Sequence, residues 1–472
     1  MIPKYSTYKA FLSDFQQGVI SCEELVDYYL SQIEKSKNLN IYIEVLEEEA
    51  LEQARALDNR AADDKKGCLF GMVISIKDVL CYKGHTVTGG SKILEGFESL
   101  FSATAVERLL AEDAIIIGRV NCDEFAMGST TENSAYGASR NAIDDSKVPG
   151  GSSGGSAVAV QADTCLASIG SDTGGSVRQP AAFCGLVGLK PTYGRISRHG
   201  LLAYGSSFDQ IGPICNSVED AALLLEVMSG KDEFDATMYQ GSSFTFDEKN
   251  WNKKAKIAYF PATLDDERVD AEVRKAAYDF LEQLKDGGHE LVPSEFDLLD
   301  YLVPTYYVMT TAEASTNLSR YDGIRYGYRR EDVHTLDECY KKSRTEGFGE
   351  EVKRRILLGT FVLSSGFYDA YYSKAQKVRR LLSDKMKEIF AACDFIFMPT
   401  SPIVAWDLGE KVDDPVAMYL ADIYTVTANM VGIPAISLPA ATHSNGMPIG
   451  MQLMADKFEE EALLAFSKLL ME

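Results

Sequence analysis

The chain has 472 residues, 46% apolar and 25% charged, an ordinary globular composition that excludes wholesale disorder. Its net charge is −23, from 47 Lys and Arg against 70 Asp and Glu, so it repels nucleic acid at long range and would need a basic partner to present any such substrate. Nine scattered Cys without CxxC spacing, five His without HExxH and the lack of any long apolar run argue against a disulfide framework, a zinc site and a membrane span. With no secretory signal visible at the start, the expected compartment is the cytoplasm.

Residues 1–65 read as helical and acidic. Ser21-Cys22-Glu23-Glu24 is a capping-box pattern, and Leu25, Tyr29 and Ile33 follow at a helical spacing of four. Ala50 to Ala62 is a second charged helical stretch. Gly71 to Asp78 predicts a buried strand ending in two ionisable residues, Lys77 and Asp78. Thr104-Ala-Val-Glu107 opens another capped helix, which leads into a strand over Ala114 to Gly118. From Ser129 to Gly212, Gly and Ser become dense and charges thin out. Apolar runs at Ala157–Ala162, Cys165–Ile169 and Phe183–Leu189 exclude a flexible linker, leaving tight turns between packed elements. Ser217 starts a helix carrying Leu223, Leu224 and Val227. Strands are expected at Lys256–Phe260 and Asp394–Met398, with residues 262–392 mostly helical, and a last buried strand at Ile433–Pro439. This alternation predicts an α/β fold, one large domain with a mixed central sheet covered by helices on both faces. Its expected stretches are 1–65, N-terminal and helical; 66–230, the Gly/Ser-rich core; 231–400, a mostly helical elaboration; and 401–472, a return to the sheet.

Three segments carry candidate chemistry: Gly150 to Ser156, Asp172 to Pro180, and Lys77-Asp78. The glycine-rich segment is neither a GxxxxGK[ST] phosphate loop nor a GxGxxG dinucleotide loop. A serine nucleophile requires a base. So few histidines disfavour a Ser-His-Asp triad, and His85 and His199 read as structural. A buried lysine can serve instead, because burial lowers its pKa from about 10.4 toward neutrality. Lys77 follows Val-Ile-Ser-Ile and fits that description, whereas Lys190, next to Pro191, is expected in a loop without a catalytic part. Backbone N–H groups of Thr173-Gly174-Gly175 could face a developing oxyanion. Asp123 and Glu124 read as hydrogen-bond partners of neighbouring loops.

Together the two Gly/Ser segments and Lys77 match the amidase signature family, over about 110 residues. Further segments resemble its glutamine-dependent tRNA amidotransferase branch: Asn121–Ser129 with Glu132–Ser134, Gly185–Gly194, Ser207–Pro213, Glu313–Arg325, Gly349–Ile356 and Met418–Thr425. Two departures stand out. Gly71-Met72-Val73 replaces the family's Gly-Ile-Pro stretch, and Ala142-Ile143-Asp144 replaces Pro-Trp-Asp after Asn141.

The resemblance implies the amidase fold and a triad of Ser176 as nucleophile, Ser152 as proton bridge and Lys77 as base. It implies an oxyanion hole from the N–H groups of Thr173, Gly174, Gly175 and Ser176, and a cis peptide at Gly151–Ser152. Arg355 and Asp422 would bind the α-carboxylate and α-ammonium of glutamine, with Tyr306 or Tyr307 nearby and Asp422 in a helical run, Met418–Val426. No metal or cofactor is expected in this chain. ATP and Mg²⁺ would belong to a partner B subunit that binds misacylated Glu-tRNA(Gln) or Asp-tRNA(Asn) and receives ammonia through a channel. A small C subunit would clasp the pair into a heterotrimer. A free-standing amidase and a non-catalytic scaffold of the same fold are the alternatives.

Overall fold

The computed structural model describes residues 4–60, 66–247, 249, 251–410, 418 and 421–472. Eleven strands among them form one sheet. In chain order these are β1 (Tyr42–Val45), β2 (Val73–Lys77), β3 (Ile115–Val120), β4 (Ala167–Asp172) and β5 (Val187–Lys190). They continue with β6 (Gln210–Cys215), β7 (Lys256–Tyr259), β8 (Glu290–Pro293), β9 (Phe395–Pro399), β10 (Ala435–Thr442) and β11 (Pro448–Met454). Across the sheet the order is β1-β3-β2-β4-β6-β5-β10-β11-β9-β7-β8. The β3-β2-β4 and β9-β7-β8 groups are parallel, and the pairings joining them are antiparallel, so the sheet is mixed as expected.

Every residue of β2, β3, β4, β6 and β9 is buried. Successive strand side chains point to opposite sides, so both faces of the sheet are covered. Helices Glu47–Asp58, Gly154–Gln161, Val218–Met228, Ala271–Asp286 and Glu460–Met471 pack against it. Residues 1–65 supply β1, 66–230 supply β2–β6, 231–400 supply β7–β9, and 401–472 supply β10 and β11. All four stretches therefore share one sheet. Among the described residues no helix is long and apolar enough to cross a membrane.

The predicted capping box forms: Ser21 Oγ accepts the Glu24 N–H and the Glu24 carboxylate accepts the Ser21 N–H. Leu25, Tyr29 and Ile33 are buried on the inner face of that helix. The next helix spans Glu47–Asp58; the expected run to Ala62 extends into residues 61–65, outside the described residues. Ser217 caps its helix, but Thr104 does not: Ala103 is the N-cap, and the Thr104 hydroxyl donates to Asp232 instead. Four strands escaped the sequence pattern, β6 among them because Gly212 and Pro213 interrupt its short apolar run. β1 and β8 are four-residue strands at the sheet edges, partly exposed, with no apolar run to mark them. β11, not the Ile433–Pro439 segment, is the last strand. Its Gly450 and Gln452 break the apolar pattern, yet both are buried.

Lys77 ends β2 and Asp172 ends β4, and these strands are parallel neighbours with Ile76 opposite Ile169. Both therefore open at the same edge of the sheet, where ligands of α/β folds gather. The helix Gly154–Gln161 starts at that edge, directly after Ser152 and Ser153. Its Gly155 lies against strand-end backbone, and a Cβ there would come within 2.3 Å of the Asn121 carbonyl oxygen. Gly155→Ala is expected to destabilise the fold by about 1–3 kcal/mol through overpacking. A denaturant titration with an unchanged midpoint would contradict that.

Candidate active site

Lys77 and Ser152 are fully buried, and Ser176 is 7% exposed. Lys77 Nζ lies within hydrogen-bond distance of three hydroxyls: Ser152 Oγ at 2.7 Å, Ser153 Oγ at 2.9 Å and Ser171 Oγ at 3.0 Å. No carboxylate among the described residues forms an ion pair with it. Burial pushes its pKa down to about 8, against the upward pull of the Cys122, Asp123, Asp172 and Asp209 charges. At pH 7 that leaves roughly a tenth of the amine neutral, against well under a thousandth for an ordinary lysine. Asp78, the next residue, is committed elsewhere: it pairs with Arg119 at 2.7 Å and accepts N–H groups of Thr88 and Gly90.

The peptide Gly151–Ser152 is cis, as expected. Gly151 N–H donates to Gln179 Oε1 at 2.9 Å, and Asp123 N–H donates to the Ser152 carbonyl. Ser153 N–H donates to the Ser176 carbonyl at 3.1 Å, joining the two signature segments directly.

Asp172 shapes the loop that carries Ser176. Its carboxylate accepts the N–H groups of Gly175 and Val177 and is held by Arg178 and Asn429. Burial alone would raise its pKa, but the charge and hydrogen bonds of Arg178 hold it down at about 2. This corrects one expected oxyanion donor. The Gly175 N–H is already spent on Asp172, at 2.9 Å. Gly175 contributes conformation instead, with φ +132 and no room for a Cβ beside Thr425. The N–H groups of Thr173, Gly174 and Ser176 have no hydrogen-bond partner among the described residues. Gly174 is likewise crowded: a Cβ there would meet Tyr306 Oη at 2.4 Å.

Arg355 is buried, unlike its half-exposed neighbour Arg354. Its Nε donates to Glu351 at 2.8 Å and its Nη1 to Tyr204 Oη at 2.6 Å, and the guanidinium lies 5.1 Å from the Tyr307 ring centre. Asp422 is also buried and accepts the Ser129 hydroxyl at 2.5 Å. Burial pushes its pKa up to about 7, opposed by Ser129 and by the charge of Arg355. Arg355 and Asp422 both act electrostatically on Tyr306. Tyr306 thus borders Gly174 and Tyr307 stacks on Arg355, so both tyrosines line the site.

Asp422 is not helical as expected. It lies in a turn before the helix Val426–Val431, and Tyr419 and Leu420 of the same motif lie outside the described residues. Thr425 Oγ1 donates to the Gly174 carbonyl at 2.7 Å, tying this turn to the Ser176 loop. Lys190 ends β5 rather than lying in a loop, and its amine donates to the Pro191 carbonyl. Asp123 accepts N–H groups of Thr131 and Asn133. Sequence reasoning missed Ser153, Ser171, Tyr204 and Glu351. Ser153 and Ser171 sit one residue from named site positions, a signal that was available; Tyr204 had none.

A buried lysine thus lies against serine hydroxyls, and the neighbouring Ser153 backbone bonds to Ser176 on a loop whose N–H groups at 173, 174 and 176 have no partner among the described residues, an arrangement suited to amide hydrolysis. The chain belongs to the amidase family, whose profile matches residues 24–464. It is 50% identical, over 98% of each chain, to the A subunit of glutamyl-tRNA(Gln) amidotransferase from Chlorobium phaeobacteroides (strain BS1). The crystal structure of the same-named amidotransferase component from Thermotoga maritima is 39% identical, with TM-score 0.78, covering 94% of this chain and 90% of that one. A 6-aminohexanoate cyclic dimer hydrolase shares the fold at 26% identity, with TM-score 0.85, covering 100% of this chain and 97% of the other.

Two titrations follow from these shifts. Neutral Lys77 is the form that can take a proton, so kcat for amide hydrolysis should rise with pH through about 8. Only the ionised form of Asp422 can hold an ammonium, so under the binding role proposed below KM for glutamine should fall as pH rises through about 7. Initial rates at saturating and limiting glutamine between about pH 6 and 9.5 separate the two, and a flat kcat profile would contradict the first.

Proposed function

We propose that this chain is the glutaminase subunit of a tRNA-dependent amidotransferase, supplying ammonia for conversion of Glu-tRNA(Gln), Asp-tRNA(Asn) or both. The observation that carries the chemistry is the buried Lys77 amine, 2.7 Å from Ser152 Oγ and without a carboxylate partner among the described residues. The names of its relatives support the assembly.

In the proposed reaction Ser176 Oγ attacks the side-chain amide carbon of glutamine and a C–O bond forms. The Ser176 proton passes to Ser152, whose own proton goes to neutral Lys77. The N–H groups of Thr173, Gly174 and Ser176 hold the oxyanion; one such donor contributes roughly 3–4 kcal/mol in comparable sites. Collapse breaks the C–N bond. Ser152 protonates the leaving nitrogen and is reprotonated by Lys77, and ammonia departs. Water then attacks the glutamyl ester through the same relay, giving glutamate and free Ser176. Arg355 and Asp422 complement the α-carboxylate and α-ammonium, a pairing that a simple amide would not require. This favours glutamine over the free-standing amidase reading.

The rest of the reaction is assigned to partners in the cytoplasm. A B subunit would bind the tRNA and use ATP and Mg²⁺, and a C subunit would clasp the two. The helix carrying Arg355 supports an assembled state. It exposes Leu357, Leu358 and Phe361, and the Phe361 ring continues onto Phe367 and Tyr371. Residues 352–387 hold nine Lys and Arg against two Asp and Glu, a local charge of +7 in a chain of −23, which suits an acidic protein surface.

In the assembled complex Ser176→Ala should abolish glutamine-dependent amidation and leave ammonium-dependent amidation of the tRNA intact. Loss of both would make Ser176 structural. Asp422→Asn should raise KM for glutamine at least about tenfold with a small change in kcat, and an unchanged KM would remove Asp422 from the site.

A further inference from the structure

Glu124 is 3% exposed, and a buried carboxylate is costly unless donors hold it. One oxygen accepts the Ser91 hydroxyl, and the other accepts the Gly349 N–H at 2.8 Å. Gly349 is the N-cap of the helix Glu350–Val362 and offers no side-chain cap of its own. A Cβ at position 349 would come within 2.4 Å of the Glu124 carboxylate, so this approach itself requires glycine. Glu124 therefore reaches across 225 residues of chain to close the N-terminus of the helix that bears Arg355, where the helix dipole also favours negative charge. The neighbouring rings reinforce the joint, Phe125 packing edge-on against Phe348 at 5.8 Å.

The same loop reaches the other end of the site. Ser129, five residues on, holds Asp422. Between them Phe125 and Ala126 adopt left-handed backbone, with φ +50 and +59, although neither is glycine. Asp123 closes the loop by accepting the N–H groups of Thr131 and Asn133. One short, tightly bonded segment thus touches both the Arg355 helix and the Asp422 turn.

We infer that Glu124 is a positioning residue for glutamine, fixing the Arg355 helix relative to Asp422 so that both ends of the amino-acid head group are gripped at a set spacing. This rests on the head-group roles given above to Arg355 and Asp422.

A double-mutant cycle on the purified complex tests it, with KM and kcat for glutamine as readouts. Glu124→Ala should raise KM about tenfold with kcat within about twofold, and Glu124→Gln, which keeps the shape and one acceptor, should fall between. Arg355→Ala should raise KM at least as much. Adding Glu124→Ala to Arg355→Ala should then change KM by less than about twofold, because the brace has nothing left to position. If Glu124→Ala fails to fold, Glu124→Gln takes its place in the cycle. An equal KM effect in both backgrounds, or a loss confined to kcat, would overturn the inference while leaving the head-group reading intact. An unchanged KM in Arg355→Ala alone would overturn the head-group reading, and the inference with it.

Discussion

The site depends on one buried amine that has no counter-charge among the described residues. Moving the Lys77 pKa from 10.5 to about 8 corresponds to roughly 3 kcal/mol of lost preference for the ammonium. Desolvation wins because the nearby carboxylates are already committed. Asp172 is held by Arg178, Asp78 by Arg119, and Asp123 by backbone N–H groups. Each is satisfied without reaching Lys77, and what remains around the amine is a set of hydroxyls. A neutral lysine among hydroxyls can accept a proton and return it, which a salt-bridged lysine could not do.

The second constraint is backbone placement. Asp172 spends its lone pairs on Gly175, Val177, Arg178 and Asn429. The loop therefore turns with the N–H groups of Thr173, Gly174 and Ser176 unclaimed among the described residues. Tyr306 and Thr425 pack so closely that positions 174 and 175 accept no side chain. Arg355 and Asp422, on separate elements, are each fixed by partners of their own before any substrate arrives: Glu351 and Tyr204 for one, Ser129 for the other. Such prior fixing lowers the ordering cost of binding and reaction.

Much of this was legible in the sequence, for identifiable reasons. A buried strand ending in Lys77-Asp78 shows as an apolar run, and the Gly/Ser segments show as a texture no linker would carry. The strands β2, β3, β7 and β9 follow from the same signal, while β4 shows only as an apolar run of unspecified structure. Edge strands β1 and β8 do not, because half-exposed four-residue strands carry no apolar run. The Gly175 N–H departs from expectation because sequence shows that a backbone donor exists but not what it already bonds. The apolar spacing around Asp422 imitates a helix, while its turn is set by Thr425 and the Ser176 loop. The contribution of Tyr204, 151 residues from Arg355, is purely tertiary and had no local trace.

The most direct test of the account is to locate the covalent intermediate. Glutamine turnover by the purified complex would be quenched in acid within the first turnovers, and the digested chain mapped by mass spectrometry. A γ-glutamyl ester on the peptide containing Ser176, accumulating faster at pH 9 than at pH 7 as the fraction of neutral Lys77 grows, is the predicted result. An acyl group on any other residue, or steady glutamine hydrolysis with no acylated Ser176 at any quench time, would contradict the account.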